Sequence, residues 1–266
     1  MRLLVSGCSF SAGATVTHVE GGETHEDLYC AKKHEGFLWP NLIADANDYE
    51  LHNISIPGNS NDKIIRLAIE WLDKHGINDT VVVIQFSSFY RLELYNEIFD
   101  QFINYCTNGE LVRENGRQLF VDADILYDAH CDHFVLQDKL DNHKLHHKTL
   151  QATTNMLKYA WNKENLQIDF LQKVLFLQSY LKDRGVPYLF TSMATGTNPL
   201  YMASDVSGTK VDYIRLLRNM IDFDSWAPPL TRFSGNNIFD DGHPNEKGNQ
   251  LIAANIQENL DKLLSR

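Results

Sequence analysis

The sequence has few cysteines, a deficit of basic residues and no long hydrophobic run. Its four cysteines among 266 residues are scattered without a C-x-x-C pair, which indicates reduced thiols in a cytosol-like compartment rather than a disulfide framework. Reduced thiols are equally expected in a protein that is encoded by a virus replicating in such a compartment. No apolar run approaches the ~18 residues of a membrane helix, and the apolar run after Arg2 falls short of the ~7–15-residue core of a signal peptide. We therefore expect a cytoplasmic protein without a signal peptide.

Acidic residues outnumber basic ones, with 35 Asp and Glu against 24 Lys and Arg, so the net charge is −11 and the pI is near 5.4. A field of this sign repels nucleic acid and anionic membranes, and we expect neither as a partner. The hydrophobic fraction of 43% and the charged fraction of 22% are typical of a globular chain and exclude intrinsic disorder. A chain of this length buries enough surface to fold without a disulfide or a structural metal.

Apolar periodicity predicts strands that alternate with helices. The predicted strands are residues 2–6, 51–56, 80–86 and 186–192, and the predicted helices are residues 37–46, 61–75, a long helix around 170–181 and residues 246–264. This alternation predicts an α/β fold with a parallel sheet, which we assign to one domain over residues 1–266. The alternation breaks between about residues 92 and 165, and we interpret this stretch as a cap-like insertion after strand three.

Polar loops with small residues follow the first three predicted strands and precede the last helix. They are residues 7–13, 57–61, 87–91 and 240–244. Ligands in open α/β sheets bind beyond the carboxyl ends of the strands. Ser9 in the first loop is either a helix N-cap or a nucleophile, and the second role needs an imidazole base held by a carboxylate. The Asp240-x-x-His243 loop supplies both partners if it lies at the same sheet edge.

Three blocks of the sequence resemble the SGNH (GDSL-type) hydrolases. Gly7-Cys8-Ser9-Phe10-Ser11 is similar to the first block, and Gly58 falls where the glycine of the second block is expected. Asp240-x-x-His243-Pro244, followed by Gly248 and a terminal helix, is similar to the fifth block. The order of the blocks covers most of the chain outside the insertion, and the last block is the most specific of the three.

This resemblance implies a flavodoxin-like three-layer α/β/α fold and the hydrolysis of an ester, often an acetyl or acyl ester. It implies that Ser9 is the nucleophile, that His243 is the base and that Asp240 orients His243. The oxyanion would be held by the backbone N–H groups of Ser9 and Gly58 and by a side chain after strand three, for which we choose Ser88.

Two positions depart from the family pattern. Cys8 stands where the family commonly has Asp before the nucleophile, a position that is not the base. The family also places an Asn after strand three as an oxyanion donor, whereas this strand runs into Ser87-Ser88 and no Asn follows until Asn96. Losing one such donor costs on the order of 100–1000-fold in turnover. Ser88 or Asn59 is therefore the expected replacement, and a slow enzyme or a lost activity remain alternatives.

Side chains around this predicted cleft suggest what it binds. Arg91 is either a clamp for an anionic substrate group or part of a surface ion pair, and we assign Asn59 and Arg91 to substrate binding. Aromatic residues between Phe89 and Tyr105 recur at helical spacing, which fits either core packing or a substrate platform. The insertion also contains His130, His133, His143, His146 and His147. Their spacing allows metal binding on a helix, but we favour a solvated, partly helical lid and predict no metal and no cofactor.

The sequence therefore predicts a serine esterase that cleaves a small acyl group from a sugar or another polar substrate. We expect the insertion to narrow the cleft, because loops at this sheet edge shape α/β sites and a polar, His-rich segment suits a hydrated ester better than an acyl tail. Two other functions stay open: a catalytically weak glycan-binding protein on the same fold, and an O-acyltransferase that uses the same triad. The sequence does not determine the oligomeric state.

Overall fold

A computed structural model describes residues 1–13, 35–89, 91–96, 101–106, 111–114, 117–120, 163–194, 198–199, 209–239 and 242–266. The strands are β1 (Arg2–Ser6), β2 (Glu50–Asn53), β3 (Thr80–Phe86), β4 (Arg91–Asn96), β5 (Gln101–Cys106), β6 (Leu111–Glu114), β7 (Arg117–Phe120) and β8 (Tyr188–Ser192). The α-helices are α1 (Ser9–Ala12), α2 (Trp39–Asn47), α3 (Asn61–His75), α4 (Lys163–Asp183), α5 (Thr209–Asn219), α6 (Leu230–Ser234) and α7 (Glu246–Leu264). Single 3₁₀ turns lie at Glu35–Phe37 and Phe223–Ser225.

Four parallel strands form the central sheet in the order β2-β1-β3-β8. This is the order of a flavodoxin-like sheet, in which the first and third strands lie side by side and the chain reverses direction across the sheet between them. Next to β8, Trp226 makes an isolated parallel bridge with Phe190 and extends the sheet by one position. The predicted three-layer α/β/α fold with a parallel sheet is confirmed.

Helices cover both faces of the sheet, and side chains of alternating strand residues enter two separate cores. On one face, Leu4, Val82 and Phe190 pack with residues of α3, α4 and α5. On the other face, Leu3 and Val83 pack with residues of α2 and α7. All seven residues of β3 are buried, as expected for a central strand with both faces covered.

The predicted helices 61–75 and 246–264 and the predicted strand 80–86 agree with the structure at both ends. The second strand ends at Asn53 rather than residue 56, because the Asn53 side chain accepts a hydrogen bond from the Ser55 N–H at 3.2 Å and turns the chain. The fourth strand of the central sheet begins at Tyr188 rather than residue 186. Pro187 has no N–H to donate to a ladder, which explains the later start.

The first part of the insertion is β structure. β4 pairs with β5 and β6 pairs with β7, both antiparallel, so the helical spacing assigned to the aromatic residues before Tyr105 is wrong. The sequence of β4 alternates Leu92 and Leu94 with charged residues, which is the period of a strand. The Glu93 carboxylate is buried against the Arg66 guanidinium at 2.7 Å, which fixes this hairpin to α3.

The histidines of the insertion and most of residues 92–165, which were predicted to fold against the cleft, lie outside the described residues. Within the described ranges, no three His, Cys, Asp or Glu side chains are grouped as a metal site would require. None of the helices described is both long enough and apolar enough to cross a bilayer.

Candidate active site

Ser9 lies directly beyond the carboxyl end of β1, at the first residue of α1. Cys8 occupies the N-cap position, and its side chain makes no capping hydrogen bond. The Ser9 side chain is therefore not the N-cap, which was the alternative interpretation of this residue. Ser9 is 8% exposed, so it is largely buried rather than on the open surface.

A tight loop before α7 presents His243. The Phe239 N–H donates to the His243 carbonyl at 2.8 Å, and the Gly242 N–H donates to the Phe239 carbonyl at 2.9 Å. Gly242 has φ +84°, a conformation that a side chain would strain. At the base of the loop, the Asn245 N–H donates to the Asn237 carbonyl at 3.1 Å. These bonds fix the backbone on both sides of the imidazole.

The two loops bring Ser9 and His243 together across 234 residues of sequence. Their side chains are hydrogen-bonded, with 2.7 Å between Ser9 Oγ and His243 Nε2. The Phe10 ring lies 5.2 Å from the imidazole, centroid to centroid, and packs against one side of it. A serine hydroxyl in direct contact with an imidazole nitrogen can lose its proton to that nitrogen as the oxygen attacks a substrate.

Asp240 and Asp241 lie outside the described residues. The role of Asp240 as the carboxylate that orients His243 therefore stays a prediction from the Asp-x-x-His spacing.

Gly58 lies in the turn between β2 and α3, beside the loop that carries Ser9. It has φ +77°, the left-handed conformation that favours glycine. Its turn is attached to the Ser9 loop because the Ile56 N–H and the Asn59 amide both donate to the Gly7 carbonyl, at 3.2 and 3.0 Å. The turn is thus held next to the nucleophile loop, and the assignment of the Gly58 N–H to the oxyanion stays a prediction.

Asn59 was predicted to bind substrate, and the structure gives it a different place. Its side chain is completely buried, with its amide nitrogen donating to the Gly7 carbonyl. A side chain without exposed surface cannot contact a substrate in the cleft, so the substrate-binding assignment of Asn59 is corrected. Asn59 instead fixes the second loop to the first.

The loop after β3 is organised by Asn61 and Arg91. Asn61 accepts a hydrogen bond from the Ser87 N–H at 2.8 Å and donates to the Ser87 and Ser88 carbonyls at 3.3 and 3.4 Å. Arg91 donates from Nη1 to the buried Ser87 hydroxyl at 2.9 Å. Part of the guanidinium therefore holds the loop. Ser88 is partly exposed in this loop, at the sheet edge where Ser9 also lies.

Gln85 supports the loop that carries Ser9 and was not among the residues predicted from the sequence. It is completely buried at the end of β3, where its Oε1 accepts from the Cys8 N–H and from the Ser11 hydroxyl, both at 3.0 Å. Gly7 permits this approach, since a Cβ there would lie 2.8 Å from Gln85 Oε1. The available signal was a single polar residue in the apolar run between Val81 and Phe86.

Comparisons with known proteins give one family and several distant structures. No curated protein matches the chain. An esterase, EstA, from Pseudoalteromonas sp. is 12% identical over 100% of both chains with a TM-score of 0.46. A lipolytic protein of the G-D-S-L family from Veillonella parvula is 11% identical over 97% of both chains with a TM-score of 0.45. An acetyl xylan esterase from Geobacillus stearothermophilus is 12% identical, covering 97% of this chain and 94% of its own, with a TM-score of 0.41.

The activities in these descriptions belong to those three proteins. The family comparison covers most of the sequence, because residues 21–259 match a family described as a family of unknown function, DUF6071. The chain therefore belongs to the DUF6071 family.

Proposed function

We propose that this protein is a serine esterase of the SGNH type that cleaves a small acyl group from a sugar or another polar substrate. The observation that carries the proposal is the 2.7 Å contact between Ser9 Oγ and His243 Nε2 at the carboxyl edge of a parallel sheet. Ligand sites of open α/β folds lie at this edge. A nucleophile in hydrogen-bond contact with its base is the arrangement that covalent catalysis needs.

In the proposed reaction, Ser9 Oγ attacks the ester carbonyl while its proton passes to His243 Nε2. The negative charge on the carbonyl oxygen is held by the N–H groups of Ser9 and Gly58 and by the Ser88 hydroxyl. His243 then gives its proton to the leaving alcohol, and the acyl group stays on Ser9. Water attacks the acyl carbonyl as His243 takes its proton, and collapse of this second intermediate returns the proton to Ser9. Asp240 keeps the imidazole in the tautomer that accepts at Nε2.

A polar ester is favoured by the residues around the loop after β3. Ser88 and Arg91, both partly exposed, offer a hydroxyl and a guanidinium, whereas a long acyl chain would call for an apolar groove. Ser87-Ser88 stands where the SGNH hydrolases have an Asn that holds the oxyanion. This difference favours the second candidate, a glycan-binding protein with little catalytic activity. The two candidates differ in whether Ser9 forms an acyl intermediate.

Hydrolysis of chromogenic esters from acetyl to decanoyl, measured for the wild type and Ser9→Ala, tests the proposal. We expect activity highest on acetyl esters and a loss on the order of 1000-fold or more in Ser9→Ala. Ser225→Ala is the control, because Ser225 is also buried and its hydroxyl bonds to the Asp222 carboxylate at 3.4 Å rather than to His243.

The outcomes separate the candidates. Equal activity of the wild type and Ser9→Ala would contradict the esterase proposal, and glycan binding without turnover would favour the second candidate. Activity that rises steadily toward decanoyl esters would contradict the polar substrate. Transfer of the acyl group to an added alcohol in preference to water would identify an O-acyltransferase that uses the same residues.

A further inference from the structure

Two buried side chains, Trp39 and Asn249, connect the segment that carries Ser9 to the segment that carries His243. Trp39 is the first residue of α2, and Asn249 lies in the first turn of α7. Neither side chain takes part in the proposed reaction, and neither contacts the reacting atoms. Each bonds to the backbone of a residue that directly adjoins Ser9 or His243.

Asn249 holds the His243 side of the site. It is 2% exposed, and its amide nitrogen donates to the carbonyls of Pro244 and Asn245 at 3.0 and 3.1 Å. Pro244 is the residue after His243. Asn249 Oδ1 accepts a hydrogen bond from the Trp39 N–H at 3.1 Å. The side chain of the residue before Trp39, Leu38, has no acceptor atom, so Asn249 satisfies the N-terminus of α2 from a different helix.

Trp39 holds the Ser9 side of the site. It is completely buried, and its indole Nε1–H donates to the Phe10 carbonyl at 3.2 Å. Phe10 is the residue after Ser9 in α1, which has only four residues. A helix this short has almost no stability of its own, so its position depends on contacts with the rest of the protein.

We infer that Trp39 and Asn249 are positioning residues that set the distance between Ser9 Oγ and His243 Nε2. The route runs from the Phe10 carbonyl through the Trp39 indole and backbone N–H to the Asn249 amide and the Pro244 carbonyl. This inference rests on the proposed function. Small displacements of reacting groups are expensive, since an error of ~1 Å can cost on the order of 100-fold in rate.

Trp39→Phe is the direct test, because it keeps an aromatic ring in the core and removes the hydrogen bond to Phe10. Its matched control is Trp226→Phe, another buried tryptophan, whose indole Nε1–H has no hydrogen-bond partner in the described part of the chain. We expect Trp39→Phe to lower kcat on an acetyl ester, and the rate at which a fluorophosphonate modifies Ser9, by about 10- to 100-fold with KM unchanged. Trp226→Phe should keep the wild-type kcat and modification rate.

Asn249→Ala provides the second variant if Trp39→Phe does not fold. Its control is Asn259→Ala in the same helix, where the Asn259 amide donates to the Asn255 carbonyl at 2.8 Å, away from the site. Both variants are measured well below their melting temperatures. A purely structural role for Asn249 would lower the melting temperature and leave kcat and the modification rate of Ser9 unchanged.

Different results would overturn the positioning role of Trp39 and Asn249 and the proposed esterase activity. A folded Trp39→Phe or Asn249→Ala protein with the wild-type kcat and modification rate would overturn the inference alone. A wild type whose Ser9 does not react with fluorophosphonate would overturn the proposed function. The imidazole nitrogen resonances of His243 would then decide the inference. A shift in Trp39→Phe toward the resonances of Ser9→Ala supports it, and resonances identical to the wild type overturn it.

Discussion

The two edges of the central sheet are held together by different chemistry. At the amino edge, the Arg2 guanidinium donates to the carbonyls of His75, Gly76 and Asn78 at 2.7 to 3.0 Å, and the N-terminal ammonium lies 3.2 Å from Asp79. At the carboxyl edge, Arg91 is a charged brace of the loop after β3, but four braces of the loops around Ser9 and His243 are neutral amides. They are Asn53, Asn59, Gln85 and Asn249, which bond to the carbonyls of Ser11, Gly7 and Pro244 and to the Cys8 N–H.

This difference follows from what each edge must do. The ion pair between the N-terminal ammonium and the exposed Asp79 contributes little to stability. Buried amides hold the backbone in a defined geometry, because a displaced partner leaves a polar group unsatisfied at a cost of ~1–3 kcal/mol. They also add no formal charge beside a serine that must pass a proton to an imidazole. Neutral amides therefore brace the two loops that carry the proposed reacting groups, whereas Arg2 and the N-terminal ammonium brace the opposite edge.

The largest loss of turnover is expected from a change at the predicted carboxylate, Asp240. Asp240→Asn should lower turnover by on the order of 10⁴-fold, because the wrong histidine tautomer cannot accept the serine proton. The neighbouring Asp241→Asn is the control and should change turnover little. The measurement is kcat on an acetyl ester. Equal small losses in the two variants would show that neither carboxylate orients His243.

Gly248→Ala is expected to cause the second-largest loss of turnover, because it acts on the loop that carries His243. A Cβ at Gly248 would lie 2.2 Å from the Asn237 carbonyl oxygen, so the loop or the helix must move. We expect a loss of about 100-fold in kcat, since a displaced base is costly. Gly36→Ala is the control, because a Cβ there meets no atom within 4 Å. Wild-type kcat in Gly248→Ala would mean that the loop shifts without moving His243.

Two buried glutamines test whether a brace near Ser9 affects catalysis as well as stability. Gln85 bonds to the Cys8 N–H at the carboxyl edge, whereas Gln178 in α4 accepts from the Asp222 N–H at 2.7 Å and donates to the Met220 carbonyl. Both are buried, so Gln85→Met and Gln178→Met should each lower the free energy of unfolding by ~1–3 kcal/mol. Only Gln85→Met should also lower kcat. Denaturant titration and ester kinetics on both variants test this, and equal kcat values would remove the proposed distinction.

The smallest effect is expected at the amino edge, from Asp222. Partial burial alone would raise its pKa, but the Lys182 ammonium at 2.7 Å, together with hydrogen bonds from the Asp224 backbone and the Tyr188 side chain, outweighs burial and holds the pKa of Asp222 below the usual 3.8. A carboxyl with a lowered pKa in the folded chain adds stability above its ordinary pKa and loses it as the pH falls through the folded value. Asp222→Asn should therefore lower stability at neutral pH and lose less stability than the wild type below about pH 4.

Denaturant titrations of the wild type and Asp222→Asn at several pH values measure this effect. Asp224→Asn is the control, since Asp224 is 76% exposed and its pair with Arg266 at 3.3 Å is on the surface. Parallel stability curves for the wild type and Asp222→Asn would contradict the assignment. Ester turnover should be the same in all three proteins.

Local patterns in the sequence determined the α/β class and both boundaries of β1, β3, α3 and α7. The β-branched run of β3 and the spacing of Ile64, Ile65, Ala68 and Leu72 in α3 needed no tertiary information, because burial on one or both faces leaves a period in the sequence. The same local logic, with the resemblance to SGNH blocks, made Ser9 and His243 candidates, since a polar loop after a strand and a polar loop before the last helix are expected at the edge where parallel sheets bind ligands. It also failed locally, when aromatic spacing indicated a helix over residues that form β4 and β5.

Only the tertiary structure decided how these loops meet. The contact between Ser9 and His243 depends on chain folding over 234 residues, and so do the bonds from Asn249 to Trp39 and from Gln85 to Cys8. An amide side chain carries no sign in the sequence of which distant backbone group it will bond, which is why Asn59 was assigned to substrate and Gln85 was missed. The periodicity of a sequence records which residues are buried, whereas the partner of a buried polar group is fixed only when the strands and helices pack.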